Sequence, residues 1–330
     1  MKTFRILAHL SLAGILAASQ FSKAFGATDI AAVWSQLKPL TEASVVASGS
    51  VEAVCSDFQG PVVAWHDVRL AHFAVNDSGA LLSDHTGLVA GGAVVLRDGS
   101  VKRGHVLAHN GMTLRNYSVN GALFGSPIDT LDGEDMGSYF LPAADVLNNG
   151  VLTAAFNYAL SKPMQSFSST AVLANASGKL VFGATSDAGC GGPQVYSVSS
   201  SDLAAASQIK IENSCARKIV VRVVGAAANF AHKGDVVVAA SLRAEDVLWL
   251  IEDATLVEFY DVVLPGTLIA PFAKVVFHTG RLEGVLVAKD VEGNPNNRPF
   301  GSSFLCEAGD SAAQINFHAF ELGAWVSSHQ

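Results

Sequence analysis

The chain has 330 residues, a formal net charge of −8, half of its residues hydrophobic and 15% charged. A disordered polypeptide, which carries more charge and less apolar mass, is excluded, and an acidic chain lacks the basic face that nucleic-acid binding requires. One stretch has the apolar density to cross a bilayer, at the very start, so a helical membrane protein is excluded too.

That first stretch reads as a secretory signal, residues 1–26. Lys2 and Arg5 form its positive start, Ile6 to Ala18 its apolar centre, and Ala24-Phe25-Gly26 a small-x-small cleavage site. Cleavage after Gly26 would leave a net charge of −11, and residues 27–330 are expected to form one domain, since no Pro- or Ser-rich linker divides them. A short helix is expected at 29–38. Sequons stand at Asn76, Asn116 and Asn175 and would be glycosylated in a eukaryotic secreted protein.

Self-similarity organises the chain beyond residue 60. Gly87-Leu88-Val89-Ala90, Gly104-His105-Val106-Leu107-Ala108 and Gly121-Ala122-Leu123-Phe124 recur every 17 residues. Leu96-Arg97-Asp98-Gly99-Ser100-Val101 matches Leu114-Arg115-Asn116-Tyr117-Ser118-Val119 at a spacing of 18. Downstream, Gly266-Thr267-Leu268-Ile269-Ala270 matches Gly284-Val285-Leu286-Val287-Ala288, again 18 apart. A period near 18 built from short Val-, Leu- and Ala-rich runs suits the coil of a mainly β solenoid, whose apolar inner faces are buried only by stacking.

Between the repeat blocks, Val146, Leu147, Val151, Ala155, Phe156 and Leu160 recur at helical spacing, which predicts a long helix over 142–162 lying along one flank. The acidic run Asp129, Asp132, Glu134 and Asp135 reads as a solvated loop before it, without the ligand order of a calcium loop. Ala171–Leu173, Leu180–Phe182, Val195–Val198, Ile219–Val224 and Val236–Ala239 read as strands. Ser199-Ser200-Ser201-Asp202 and Gly189 to Pro193 read as connecting loops. The four cysteines lack the close paired spacing of a zinc site. In an oxidising compartment they are expected to form Cys190–Cys215 and Cys55–Cys306.

Asp246-Val247-Leu248-Trp249, Ala254-Thr255-Leu256, Gly266 to Pro271, Gly284 to Ala288 and Arg298-Pro299-Phe300 succeed one another in an order that resembles the choice-of-anchor A family. Gly87 to Val101 is similar to that family's upstream repeats, so the resemblance covers about Pro61 to Phe300. It implies a right-handed β-helix on secreted or surface-attached adhesive proteins, with similar single domains in the Jonah-type cyst-wall lectins of amoebae, which bind cellulose and chitin. The four cysteines, the absence of a sorting tail and Leu250 after the Trp depart from the bacterial pattern.

On such a fold, aromatic rings on a flat face can stack on sugar C–H faces while polar side chains bond the hydroxyls. The candidates are Trp65, His66, Phe73, His105, His109, Tyr117 and Tyr260. Tyr117 stands out because its repeat equivalent is Gly99, which predicts that it projects at a turn. Trp249, among Val247, Leu248 and Ile251, is expected in the core. His105 and His109, four apart, would converge on a helix but not on a coil, so no metal is expected. Neither a G-x-S-x-G nor an H-E-x-x-H motif occurs, no cofactor is implied, and Thr113, Thr255, Thr267 and Thr279 form no ice-matching array. The expectation is a secreted, non-enzymatic protein that binds an extracellular or wall polysaccharide such as cellulose or chitin. A structural or protein-adhesion module of a wall or coat is the alternative, ahead of a polysaccharide-acting enzyme or an ice-binding protein.

Overall fold

A computed structural model describes residues 43–77, 82, 85–147, 152, 174–176, 178–182, 194–212, 219–238, 242–293 and 314–316. The expected helix at 29–38, most of that at 142–162 and the runs at 171–173 and 189–193 lie outside them.

Short Val-, Leu- and Ala-rich runs between glycines form parallel strands. The first block holds β1 (Val45–Ala47), β2 (Val51–Phe58), β3 (Val62–Ala64), β4 (Val68–Val75), β5 (Thr86–Ala90) and β6 (Val94–Val101). It continues through β7 (His105–Ala108), β8 (Met112–Val119), β9 (Leu123–Phe124), β10 (Ile128–Glu134) and β11 (Ser138–Tyr139) to a short helix, α1 (Ala143–Leu147). The second block holds β12 (Ala174–Ala176), β13 (Lys179–Phe182), β14 (Gln194–Ser199), helix α2 (Ser200–Ala205), β15 (Gln208–Ile211) and β16 (Ile219–Val224). Then come β17 (Ala227–Asp235), β18 (Val237–Val238), β19 (Val247–Ile251), β20 (Leu256–Pro265), β21 (Thr267–Phe277), β22 (Arg281–Glu283), β23 (Leu286–Gly293) and β24 (Gln314–Asn316).

The sequence repeats are strand registers. Leu96 pairs with Leu114 and Val101 with Val119, while Leu268 pairs with Leu286 and Ala270 with Ala288. β12, β13, β15 and β18 form a small separate sheet with β12 antiparallel to β13, and the other strands stack into three parallel faces. The first runs β11-β9-β7-β5-β3-β1-β23-β21-β19-β16-β14. The second runs β10-β8-β6-β4-β2-β23-β21-β20-β17. The third uses the C-terminal halves of β10, β8, β6, β4 and β2, followed by β24, β22, β20 and β17.

Coil order along the axis is therefore not chain order. The described chain begins in the middle of the stack at β1, winds outward to β10 and β11, crosses to the far end, and winds back until β23 and β24 lie against β1 and β2. Ten inter-strand steps, about 48 Å, separate β11 from β14 on the first face.

Two apolar layers result. The inner one fills the coils with Val68, Leu70, Leu96, Leu114, Phe58, Trp249, Phe259 and Phe277. The outer one lies on the outside of the first face, where Leu107, Val89, Val63, Val46, Val287, Ile269, Leu250, Val220 and Val195 form a continuous stripe. Leu141, Val146 and Leu152, from the start of the crossing segment, pack on that stripe. The crossing thus begins by covering the first face. Coils approach closely where side chains are absent: a Cβ at Gly121 would lie 2.1 Å from the Gly104 carbonyl oxygen.

Two expectations need correction. Ser199 to Asp202 is not a loop but the cap and first turn of α2, with the Ser199 hydroxyl accepting from the Asp202 N–H at 3.0 Å. Ser and Asp suit turns and helix N-caps alike, and the capping geometry prevails here. The acidic run is likewise an edge strand, β10, continuing the parallel ladder from β8.

Candidate functional site

With the first face covered from its β11 end, the surface left open among the described residues comprises the second and third faces and the corner between them. At that corner β2, β4, β6, β8 and β10 each bend at one residue of positive φ: Cys55, His72, Asp98, Asn116 and Asp132, at 46–56°. Asn and Asp tolerate this region better than other non-glycine residues. Their side chains form a polar ladder. Asn116 Nδ2 donates to Asp98 Oδ1 at 2.8 Å, and Asp98 also pairs with Arg97 at 3.2 Å and faces His72 at 4.0 Å. Cys55 is disulfide-bonded; Cys190, Cys215 and Cys306 lie outside the described residues, as do the expected pairings.

The aromatic candidates divide three ways. Phe73 and Tyr117 are core residues, each 6% exposed, so neither offers a ring to a ligand. The expectation that Tyr117 projects is overturned by its relation to glycine. The inward corner positions read Ser56, Phe73, Gly99, Tyr117 and Gly133 from coil to coil, alternating large and small. A Cβ at Gly99 would lie 2.5 Å from the Phe73 ring, and one at Gly133 would lie 2.1 Å from the Tyr117 ring. Glycine stands in the repeat because the neighbouring ring occupies the space. The Tyr117 hydroxyl donates to Asp135 Oδ2 at 2.6 Å.

Burial first, and the Asp135 carboxylate after it, push the Tyr117 phenol up to about 12. A phenol held above its unfolded value of 10 adds no pH dependence below pH 10; above it the unfolded chain ionises first and stability is lost. Between pH 10 and 12 the wild type should therefore lose on the order of 1 kcal/mol that Tyr117→Phe retains, allowing for the solvent that reaches the phenol. Urea unfolding of both proteins at pH 9 and 11.5 checks this, and parallel losses would refute it.

Trp65, His105 and His109 flank the covered face. Trp65 packs, partly buried, against the outer apolar layer. His105 Nδ1 accepts the Ala122 N–H at 2.9 Å, and its ring meets Phe124 edge-on at 5.3 Å. His109 Nδ1 lies 2.8 Å from the Ala143 carbonyl, which requires that nitrogen to carry the proton. His109 thereby ties the coil to the start of the crossing segment. His66, beside Trp65, is exposed.

Tyr260 is on the open second face. Its ring stacks on His278 at 3.9 Å and 10°, and Glu258 joins the pair, with Oε1 3.5 Å from the Tyr260 hydroxyl and 3.4 Å from His278 Nε2. Burial and the Glu258 carboxylate raise the Tyr260 phenol above its ordinary value. Sequence reasoning missed Glu258 and His278 because no motif joins residues 20 apart; only coil register does. The same face carries an in-register outward row of Asn229, Glu258, Val276, Glu292, Glu52, Arg69, Val95, Thr113 and Asp129. Lys274 pairs with Glu292 and Arg115 with Asp129 across that row.

The third face sets the shorter side chains of Ser118, Ser100, Ala74 and Asp57 side by side. Burial, then the Asp77 charge, raises the Asp57 carboxyl, against the pull of Lys102. Among the sequons, Asn116 is exposed at the corner, whereas Asn76 is fully buried with Nδ2 donating to the Arg103 carbonyl at 2.9 Å. Asn76 therefore cannot carry a glycan in the folded chain, which corrects the expectation for that site. Asn175 falls in β12. Among the described residues no three His, Cys, Asp or Glu side chains gather as metal ligands would, and no helix is long and apolar enough to cross a membrane.

Residues 37–297 match the protein family described as "Putative Ice-binding-like adhesive domain". Neither the curated proteins nor the solved structures contain a significant match to the chain.

Proposed function

The chain belongs to this ice-binding-like adhesive domain family, and from that premise we propose that it is a secreted, non-enzymatic adhesin that attaches to an extracellular or wall polysaccharide such as cellulose or chitin. The family match carries the adhesive role. The choice of a polysaccharide rests on the open second face. There the stacked Tyr260–His278 pair, with Glu258 beside it, combines a flat apolar surface with hydrogen-bonding groups. The resemblance to choice-of-anchor A domains and Jonah-type lectins points to the same ligands, and to right-handed winding, which parallel crossovers favour. Ice is a poorer fit, because the outward row mixes Glu, Arg, Val and Asp, and Thr86 and Thr267 are buried. Residues 1–26 would direct export and be removed by cleavage after Gly26.

The test is a pull-down of the mature, disulfide-intact protein on cellulose, chitin and a non-glycan support. Retention on a glycan and release by its soluble oligosaccharide are expected. Tyr260→Ala should weaken retention about 10-fold, the loss of one aromatic contact of about 1.4 kcal/mol, with an unchanged melting temperature. A folded protein retained by neither glycan would overturn the reading in favour of a structural or protein-adhesion role. Unchanged retention of Tyr260→Ala would remove that face from the site.

A further inference from the structure

The two ends of the solenoid are unlike. At the β14 end the inner core continues into Leu203 of α2 and into Leu180, Phe182, Ile209 and Ile211 of the small sheet β12-β13-β15-β18. At the other end β10 pairs with β8 on one side and with no described strand on the other. Among the described residues five large apolar side chains are exposed, and four belong to this terminal coil: Leu131 (56%), Met136 (71%), Tyr139 (52%) and Phe140 (79%). A parallel edge strand leaves backbone N–H and C=O groups unpaired, which makes it a template for another strand.

Charge decides what fits. Asp129 is paired with Arg115, and Asp135 accepts from Tyr117 and from the Gly137 N–H. Asp132 and Glu134 are exposed and have no ion pair among the described residues. A second copy docked end to end about a two-fold axis would set these carboxylates against their own images, and a head-to-tail copy would meet the covered end. An extended segment carrying lysine or arginine would instead neutralise them. Its apolar side chains would cover Leu131, Met136 and Phe140.

We propose that the β10 edge is a docking site for an extended, basic and apolar strand of a partner protein, added parallel or antiparallel to β10. This site is separate from the side face read as glycan-binding, so the two can fail independently.

The test uses the mature protein and two fluorescent eight-residue peptides, one alternating Lys and Val, the other alternating Glu and Val. The Lys–Val peptide should bind, at least 10-fold more tightly than the Glu–Val peptide. Binding should weaken as salt rises from 0.05 to 0.5 M, on the order of the screening expected for exposed charges. Asp132→Asn, which keeps a residue suited to the positive φ, with Glu134→Lys should lower affinity at least 10-fold while far-UV circular dichroism and glycan retention stay unchanged. Leu131→Ser should weaken binding without altering its salt dependence. Equal binding of both peptides, no binding by the folded protein, or binding unaffected by the double substitution would overturn the proposal. So would a concentration-dependent dimer abolished by the same substitution, which would make a second copy the occupant.

Discussion

Trp249→Ala should lower the stability of the domain by about 4 kcal/mol, the middle of the range for emptying a buried aromatic site. The side chain is fully buried in β19. Its ring meets Phe182 edge-on at 5.9 Å and Phe230 at 5.6 Å, and Nε1 donates to the Pro265 carbonyl at 2.8 Å. Truncation removes the centre of an aromatic cluster that joins the coils to the small sheet through Phe182. It also strands a buried carbonyl. Phe230 stacks on Phe259, and Phe259 on Phe277, in successive coils, so the ring column cannot collapse into the gap without shifting register. Urea unfolding followed by circular dichroism measures the loss. Trp249→Phe should recover most of it, leaving a deficit of about 1 kcal/mol for the hydrogen bond. A loss below about 1.5 kcal/mol for the alanine variant would mean that the cluster relaxes.

The second large effect is electrostatic. Arg222, pointing outward from β16, forms a two-pronged pair with Glu252, just beyond β19, through Nε to Oε1 and Nη2 to Oε2, the latter at 2.8 Å. Both side chains are largely withdrawn from solvent. Glu252→Ala leaves the guanidinium without its principal countercharge in a site with little water, and should cost about 3 kcal/mol. The damage comes from desolvation of a guanidinium that has lost the two-pronged compensation of Glu252, more than from the lost attraction. Replacing both partners, Arg222→Met with Glu252→Leu, should therefore restore at least half of the loss. A double variant as unstable as the single one would show that the pair itself, rather than desolvation of Arg222, holds these two strands together.

Much of this architecture is legible in the residues because a solenoid writes its register as a period. Leu96 over Leu114 and Leu268 over Leu286 are visible as self-similarity before any coordinate is known. The core place of Trp249 follows from its apolar neighbours. Coil order does not follow, because a period identifies which segments are coils without saying which coil lies on which. Thus nothing at Val46 or Val287 announces that they are neighbours on the first face. The same ambiguity inverts the reading of Tyr117: a glycine opposite an aromatic residue signals either a turn or a ring lying over the gap, and only packing separates the two. Asn76 misleads for a related reason, since a sequon is local whereas its burial depends on Arg103 in the next coil. On the second face, Tyr260 stands out as an aromatic near a repeat, but His278 and Glu258 gain their meaning only from the stack.

The adjacency of the first and last coils has a consequence for how the molecule is made. β1 and β2 emerge before every other described strand, yet their partners β23 and β24 emerge after all the rest, so the first block waits with that edge unpaired while the intervening strands arrive. Contacts between positions such as Val45 and Leu286 are among the most distant in the chain, and closing them is slow because loop entropy opposes it. A circular permutant whose new ends lie in the crossing segment, with the old ends linked, would wind from one end to the other, each coil laid on the one just completed. It should refold faster than the natural order, and that gain would measure how much of the folding barrier lies in bringing the middle of the stack together.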